Sequence, residues 1–332
     1  MRVTIRDVAE KAGVSPSTVS RAIYNTAKIS DATKERIFRA MEELHYYPNA
    51  AARSLANRQA MTLGIILPNS EEDLFINPFF IDVMRGISIY AQSEGYYLMY
   101  AFSKDQEQEV KFIKDLYNTR RVDGIISLSV SENDKCIQYM KERETPFVVV
   151  GRPEDPEGIL WVDNDNFQAM YNLVSLLLDR GIRSFGFIGG PKNLTVTRDR
   201  LEGFIKALEN RGISAANVPV AFATDFSEQA GYRIGNGMLE TAAPACVVTT
   251  DDILAFGVLK AAAESEAGTH VTGFNNTFRS SSGMPAITTV EIHPYEIGRK
   301  AARLLIDRLK DPENSADHFI VGTKLIERGP VR

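Results

Sequence analysis

Paired cysteines and long apolar runs are both missing from this chain of 332 residues. Cys136 and Cys246 are the only cysteines, and neither lies in a CxxC pair or beside a histidine. We therefore expect no disulfide framework and no zinc site. No apolar run is long enough to span a membrane, and residues 1–10 lack the apolar core of a signal peptide. These absences favour a protein of the reducing cytoplasm.

Signatures of catalysis and of nucleotide binding are also missing. No GxGxxG follows the first predicted strand, and the glycine turn at 189–191 lacks the lysine and hydroxyl pair of a phosphate-binding loop. The histidines, His45, His270, His293 and His318, show neither triad nor metal-ligand spacing. The sequence therefore predicts that the chain is not an enzyme and holds no metal and no cofactor.

Charge is distributed unevenly along the chain. Residues 1–58 contain ten Lys/Arg and six Asp/Glu, a balance of +4, whereas the whole chain carries −5. The remainder of the chain is therefore acidic. A basic N-terminal region attached to an acidic body is typical of a protein that contacts nucleic acid at one end.

The pattern of residues 1–46 predicts three short helices. Thr4 and Asp7 have the spacing of a capping box at the start of the first helix, and Gly13 permits a left-handed turn at its end. Ser15 and Pro16 suit the N-cap and the first position of a second helix. Two short helices joined by a tight turn predict a helix-turn-helix, whose second helix enters the major groove of DNA.

The candidate DNA contacts of this region are mostly hydroxyl groups near the start of the second helix. Hydroxyls can meet phosphates or base edges, and an arginine can bind guanine through two hydrogen bonds. The candidates are Thr4, Ser15, Pro16, Ser17, Thr18, Ser20 and Arg21. A small helical bundle with a polar face is the alternative interpretation of the same pattern.

From residue 61 onward, short apolar runs alternate with amphipathic segments. Eight runs have the character of strands, and helical periodicity lies between them. The predicted strands are 62–67, 97–102, 122–127, 147–150, 185–189, 218–222, 245–249 and 270–274. This alternation predicts two doubly wound lobes with mostly parallel sheets, which bind ligands at the carboxyl ends of their strands.

The runs VTIRDVAEKAGVSPSTVSRAI (3–23) and KISDATKERIFRAMEELHYYPNAAARSLA (28–56) resemble the DNA-binding head of the LacI/GalR family of repressors. The body is similar to the family in its order of strands and helices. The resemblance implies an all-α helix-turn-helix head (1–46), a hinge helix and linker (47–60), and an α/β effector-binding and dimerisation core (61–332) of two periplasmic-binding-protein-like lobes. The implied lobes are about 61–161 with 292–321, and 162–291 with 322–332.

The resemblance also implies a hinge helix. Asn49 would cap a short run of helix formers, which is marginally stable alone in water. In the family, two such helices from a dimer lie in the minor groove, and a leucine enters the central base step. Leu55 matches that leucine, with Ala52 beside it, so a homodimer on a pseudo-palindromic operator is expected. Packing of Leu55 on the head or the body is the alternative.

Five residues match family positions that line the ligand cleft, namely Phe79, Phe80, Arg200, Phe226 and Asp252, and Asp163 is a further candidate. Asn275 is a seventh candidate, because many family members carry an acidic pair at this point. Aromatic faces stack on sugar rings, and Arg and Asp form hydrogen bonds with sugar hydroxyls. Three alternatives stay open: one of the adjacent phenylalanines is core, Asp163 only caps a helix, or Arg200 pairs with a surface acid.

The resemblance implies a sequence-specific transcriptional repressor whose operator affinity is controlled by a small ligand. The segments NPFF (77–80), VGR (150–152) and GFNN (273–276) resemble those of the maltose/maltodextrin operon repressors of Gram-positive bacteria. Maltose or a maltodextrin is therefore the expected effector, and both induction and corepression are compatible with the sequence. The alternatives are a catabolite-control regulator with a phosphorylated protein corepressor and a sugar-binding transport protein.

Overall fold

A computed structural model of the chain describes residues 3–24, 27–47, 59–67, 77–103, 105–265, 268–282, 286–314 and 316–328. The chain divides into two compact units, Met1–Met61 and Thr62–Arg332. The first unit is called the head, and the second is called the core.

The head is a bundle of three helices, as the sequence predicts. These are α1 (Ile5–Ala12), α2 (Pro16–Tyr24) and α3 (Asp31–Glu43). Each helix contributes one fully buried aliphatic side chain to a shared apolar centre: Val8, Val19 and Ile37. Because the helices are short, this shared burial rather than helix propensity stabilises them.

Local sequence fixes the ends of the first two helices. The Thr4 backbone N–H and hydroxyl both donate to Asp7 Oδ2, at 2.7 and 2.8 Å, which confirms the predicted capping pair. Gly13 leaves α1 at φ 63°, a left-handed conformation that glycine adopts without strain. Ser15 Oγ then accepts from the Thr18 N–H at 3.2 Å at the start of α2.

The first lobe of the core is built on a parallel sheet of six strands. The strands are β1 (Thr62–Leu67), β2 (Tyr97–Phe102), β3 (Gly124–Ser127), β4 (Phe147–Val150), β5 (Leu160–Asn164) and β11 (His318–Val321). Their order across the sheet is β11-β5-β4-β3-β1-β2. The helices of this lobe are α4 (Pro78–Ser93), α5 (Gln106–Asn118), α6 (Lys135–Glu142) and α12 (Pro294–Lys310).

The second lobe repeats this architecture on a smaller parallel sheet. Its strands are β6 (Phe185–Gly189), β7 (Val220–Phe222), β8 (Cys246–Thr249) and β9 (His270–Thr272), in the order β7-β6-β8-β9. Its helices are α7 (Asn166–Asp179), α8 (Thr195–Glu209), α9 (Glu228–Thr241), α10 (Asp252–Ser265) and α11 (Phe278–Ser282). The strands β10 (Thr289–Glu291) and β12 (Lys324–Ile326) form a separate antiparallel pair.

The predicted fold class, a helical head and an α/β core of two doubly wound lobes, is confirmed. All eight predicted strands are present, and four of them have the predicted bounds, namely β1, β2, β4 and β6. The sequence missed β5, β10, β11 and β12 because they are short and carry polar residues, so their periodicity is weak. Strand β5 pairs with β11 as far as Asn164, so the first sheet extends past the expected lobe boundary at 161/162.

Three segments of chain connect the lobes, and one side chain joins all three. Asn164 lies where β5 leads into α7, and it is only 6% exposed. Its Nδ2 donates to the carbonyl of Ile292, between β10 and α12, at 3.1 Å. The same amide donates at 2.8 Å to the carbonyl of Val321, which ends β11 before the chain crosses to β12. Asn164 therefore fixes the relative position of the three crossovers.

Among the described residues, no helix combines the length and the apolar character that a membrane span requires.

Candidate ligand cleft and recognition helix

A cleft lies between the two lobes at the carboxyl ends of their strands. It contains about 680 Å³ of space, part of which is open to the surrounding solvent. Parallel sheets form ligand sites at this edge because the loops that follow their strands converge there. Six of the seven predicted ligand residues line this cleft: Phe79, Phe80, Asp163, Arg200, Phe226 and Asn275.

Arg200 lies on α8 and is 5% exposed, so it does not pair with an acid on the surface. Its Nε donates to Asn166 Oδ1 at 2.9 Å, and its Nη1 donates to the carbonyl of Thr250 at 2.5 Å. The guanidinium carbon lies 3.8 Å from the centre of the Phe274 ring. Burial lowers the pKa of Arg200 to about 10, although nearby carboxylates oppose the shift. The side chain is therefore charged at neutral pH and held in one orientation.

Asp163 is the penultimate residue of β5 and is 7% exposed. One carboxylate oxygen accepts from the Arg152 N–H at 2.9 Å, and the other accepts from the Asn164 N–H and from Asn166 Nδ2. The N-cap of α7 is a different residue, Asp165, so Asp163 does not serve as that cap. Burial raises the pKa of Asp163 to about 6. Asn166 joins this carboxylate to the arginine of the cleft.

Asp252 is the one predicted ligand residue that the structure places elsewhere. It is fully buried and does not line the cleft. Its carboxylate accepts from the Thr289 hydroxyl at 2.7 Å and from the Thr277 N–H and hydroxyl at 2.7 and 3.0 Å. These internal hydrogen bonds leave it no role in the cleft wall. The preceding residue, Asp251, lines the cleft instead.

Asp251 and Asn275 form a pair in the cleft wall. Asp251 Oδ2 accepts from Asn275 Nδ2 at 2.6 Å, and its Oδ1 accepts from the Ile253 N–H at 2.7 Å. Burial, together with the neighbouring charge of Asp252, raises the pKa of Asp251 to about 7. Asn275 adopts φ 105°, a strained conformation for a residue with a side chain. Its Oδ1 is buried and has no hydrogen-bond partner among the described residues.

Three phenylalanines supply aromatic surface to the cleft. Phe79 and Phe80 meet edge to face at the start of α4, with ring centres 5.3 Å apart. Both are half-buried, and Phe79 also packs against the apolar cluster of the second lobe. The Phe226 ring lies against Gly190, where a Cβ atom would come within 2.2 Å of the ring. Only glycine therefore permits this placement of Phe226.

Besides Asp251, two buried asparagines line the cleft that the sequence did not predict as ligand residues, Asn77 and Asn164. Asn77 caps α4 by accepting from the Phe79 N–H at 3.1 Å, and it is 7% exposed. The Asn-Pro pair before an apolar run is an N-cap signal that could have located it. Asn164 also lines the cleft. No local signal marks it, because its partners Ile292 and Val321 lie 128 and 157 residues away.

The start of α2 presents a chain of hydroxyls on the surface of the head. Ser15 Oγ lies 2.8 Å from both Ser17 Oγ and Thr18 Oγ1. Arg21 is exposed on the same helix and forms no ion pair with any residue that the structure describes. The helix begins at Pro16, and Ser20 is half-buried. Hydroxyls near the helix start and an unpaired arginine one turn later are the groups that contact phosphates and base edges.

The hydroxyl of Thr4 is engaged by Asp7, as described for α1. Asn49, Ala52 and Leu55, the predicted hinge contacts, lie outside the residues that the structure describes.

Known proteins resemble this chain in both the head and the core. Residues 4–49 match the family of bacterial regulatory proteins described as the lacI family, and residues 174–331 match the periplasmic binding protein-like domain. The transcriptional regulator MalR of Streptococcus pneumoniae is 35% identical, over 99% of this chain and 100% of its own. The transcriptional repressor CytR of Escherichia coli is 31% identical, over 99% of this chain and 96% of its own.

A solved structure, the complex of the transcriptional regulator CelR with cellobiose, is 26% identical. It aligns with a TM-score of 0.75 over 98% of this chain and 99% of its own. The helical head, the two-lobed core and these matches define a bacterial transcriptional regulator. With 35% identity to a relative over its whole length, the chain belongs to the LacI family.

Proposed function

We propose that the chain is a homodimeric repressor that binds operator DNA and releases it when a neutral saccharide enters the cleft. In this proposal the head (1–46) and the hinge (47–60) contact DNA, and the core (61–332) dimerises and binds the effector. The proposed DNA contacts are Thr4, Ser15, Pro16, Ser17, Thr18, Ser20, Arg21, Asn49, Ala52 and Leu55. The proposed effector contacts are Phe79, Phe80, Asp163, Arg200, Phe226, Asp251 and Asn275, with Asp251 in place of Asp252.

The observation that carries this proposal is the convergence of Arg200, Asp163 and Asp251 with three phenylalanines in one cleft. Carboxylates accept hydrogen bonds from vicinal hydroxyls, and a guanidinium donates to ring and hydroxyl oxygens. Aromatic rings stack on the apolar face of a pyranose. Each polar group is already oriented by protein partners, so the entropy cost of binding is reduced.

The balance of charge in the cleft supports a neutral effector. Asp163 and Asp251 are two carboxylates against the single guanidinium of Arg200. A phosphorylated sugar would add negative charge beside them, and like charges repel strongly where water is excluded. We propose maltose or a short maltodextrin, because the relatives include MalR, and because CelR, as its structure is described, binds the disaccharide cellobiose.

The proposed switch couples the cleft to DNA through the hinge. A helix as short as the predicted hinge is marginal without DNA and dimer contacts, so a small lobe movement can melt it. The effector must prefer the lobe arrangement that separates the hinges, since a ligand that binds both states equally shifts nothing. A regulatory rather than catalytic role follows from relatives that are named as regulators. The site of action is then the cytoplasm, where the operator lies.

Titration calorimetry with maltose and maltotriose tests this proposal, in the presence and absence of operator DNA. Linkage requires operator to weaken sugar binding by the same factor by which sugar weakens operator binding. Asp251→Asn should abolish the response while operator binding persists, and the exposed-surface variant Asp179→Asn should behave as wild type. Absence of heat with both sugars would refute the effector assignment. Tighter sugar binding in the presence of operator would reverse the sign of the switch.

A further inference from the structure

Two loops from opposite lobes pair along one edge of the cleft. The first, residues 130–132, follows β3, and the second, residues 193–195, leads into α8. Two backbone hydrogen bonds join them, from Glu132 N–H to Asn193 O (2.8 Å) and from Thr195 N–H to Val130 O (3.2 Å), and together they make Ser131 and Leu194 an antiparallel bridge. These two loops are called the seam.

An ion pair reinforces the seam from outside the cleft. Arg198, on α8 of the second lobe, donates from Nη1 to Glu154 Oε1 at 2.9 Å, and Glu154 follows β4 of the first lobe. The other oxygen of this carboxylate accepts from the Asn133 N–H at 3.5 Å, next to the seam. Arg198 also lies 3.4 Å from Asp199 and 3.9 Å from Glu202 within its own lobe. Glu154 therefore connects both lobes at this edge.

The two edges of the cleft are held by different means. At one edge the lobes are joined covalently by the three crossovers and by the buried amide of Asn164. At the seam the described residues join them through the two backbone hydrogen bonds, a hydrogen bond from the Thr195 hydroxyl to the Val130 carbonyl (3.4 Å), and an ion pair whose side chains are 31% and 46% exposed. The seam is therefore the weaker of the two connections, and it can separate while the crossovers keep the lobes attached.

We infer that the seam holds the lobes together by protein contacts alone and that its opening limits the entry of the effector. Val130, Leu194 and Thr195 line the cleft, so the seam is part of its wall. Arg198 and Glu154 do not line it, and they act as positioning residues for effector binding. This inference rests on the proposed function in one respect: the molecule that enters the cleft is taken to be a saccharide.

Amide hydrogen exchange, measured by NMR without added saccharide, tests the seam independently of any effector. We expect the N–H groups of Glu132 and Thr195 to be protected. Arg198→Gln and Glu154→Gln should each speed their exchange about two- to fivefold, the range of a partly exposed ion pair. The double variant should add little, because either substitution alone already removes the pair.

Arg211→Gln is the control for this measurement, because it breaks the exposed pair with Asp179 on the same lobe without touching the seam. It should leave both amides unchanged. Unprotected amides in the wild type, or exchange that the two seam variants do not alter, would overturn the inference.

A disulfide across the seam tests the consequence for binding. Glu132 and Asn193 are exposed, lie opposite each other one residue beyond the bridge, and do not line the cleft. In the variant Glu132→Cys with Asn193→Cys, oxidation should slow maltose association at least tenfold, and reduction should restore it. The native cysteines are buried and should not interfere.

Equal association rates in the oxidised and reduced forms would refute gating by the seam. If the wild type binds no maltose, the proposed effector is wrong, and the exchange rates alone then decide whether the seam exists. If the wild type binds maltose but the reduced double-cysteine variant does not, the rates of maltose association are compared between Arg198→Gln and the wild type. A two- to fivefold acceleration in Arg198→Gln supports gating, and an unchanged rate refutes it.

Discussion

The side chains that we propose for recognition are in opposite states in the head and in the cleft. On the head, Arg21 and Ser17 are exposed, and Arg21 has no ion-pair partner among the described residues. In the cleft, Arg200 and Asp163 are at most 7% exposed, and both are held by hydrogen bonds within the protein. A DNA surface supplies its own partners and its own charge. A small neutral ligand supplies neither, so the cleft must be organised in advance.

This contrast has a consequence for stability. Exposed recognition groups contribute little to folding, so they can be replaced with an effect on binding alone. Buried recognition groups are part of the folded core, so their replacement alters stability and binding together. Substitutions in the head should therefore change binding alone, and substitutions in the cleft should change stability and binding together.

The largest loss of stability should follow Arg200→Ala. This change leaves Asp163 and Asp251 buried without their cation, and removal of one partner from a buried ionic group costs about 3–5 kcal/mol. Urea unfolding of the core measures the loss. The exposed arginine variant Arg233→Ala should change the unfolding free energy by less than about 0.5 kcal/mol. A loss below about 1 kcal/mol for Arg200→Ala would show that the carboxylates do not depend on this arginine.

The next effect is a dependence of core stability on pH. The pKa values of Asp163 and Asp251 are raised to about 6 and about 7, so the folded core binds protons more tightly than the unfolded chain. Stability should therefore be greatest near pH 4 and fall as pH rises to about 7. Each unit of pKa difference corresponds to about 1.4 kcal/mol. Urea unfolding at several pH values measures this slope.

Asp251→Asn should make the stability of the core less dependent on pH. The new amide can be accommodated, because rotation of the Asn275 side chain would turn its unpartnered Oδ1 toward it. The head has the opposite dependence: hydrogen bonds from Thr4 lower the pKa of Asp7, so its contribution is lost as pH falls. Equal slopes in wild type and Asp251→Asn would show that Asp251 is not the titrating group.

A smaller loss should follow Asn164→Ala. The substitution leaves the carbonyls of Ile292 and Val321 without their buried donor, and such a loss costs about 1–3 kcal/mol. Asn172→Ala, on the exposed face of α7, is the matched control and should be nearly neutral. Calorimetric melting of both variants measures the difference. Equal melting temperatures would mean that water replaces the Asn164 amide at the crossovers.

The regions also differ in how far their structure follows from sequence. In the head, the deciding contacts are local: Thr4 with Asp7 and Ser15 with Thr18 are each three residues apart. Eight of the twelve described strands of the core follow from apolar periodicity in the same way. The cleft depends on contacts between distant segments, as the crossover amide shows. The family match pointed to Asp252 as a residue of the cleft wall, whereas the structure places the neighbouring Asp251 there, and the sequence alone does not distinguish the two.

The smallest change in stability should follow Arg21→Ala, which removes an exposed side chain and should shift the unfolding free energy of the head by less than about 0.5 kcal/mol. Operator binding should nevertheless weaken. Titrations with operator and with random DNA at several salt concentrations distinguish two kinds of contact. Lys28→Ala, which removes a second exposed cation of the head, is the comparison variant.

If Arg21 contacts a phosphate, the loss of affinity should be equal on both DNAs. The slope of log affinity against log salt concentration should also become shallower by about one unit. If it contacts a base, the loss should be confined to the operator and amount to roughly 1–3 kcal/mol at one position of the site. Unchanged binding to both DNAs would remove Arg21 from the recognition surface. A loss of head stability comparable to that of Asn164→Ala in the core would contradict the difference between exposed and buried recognition groups.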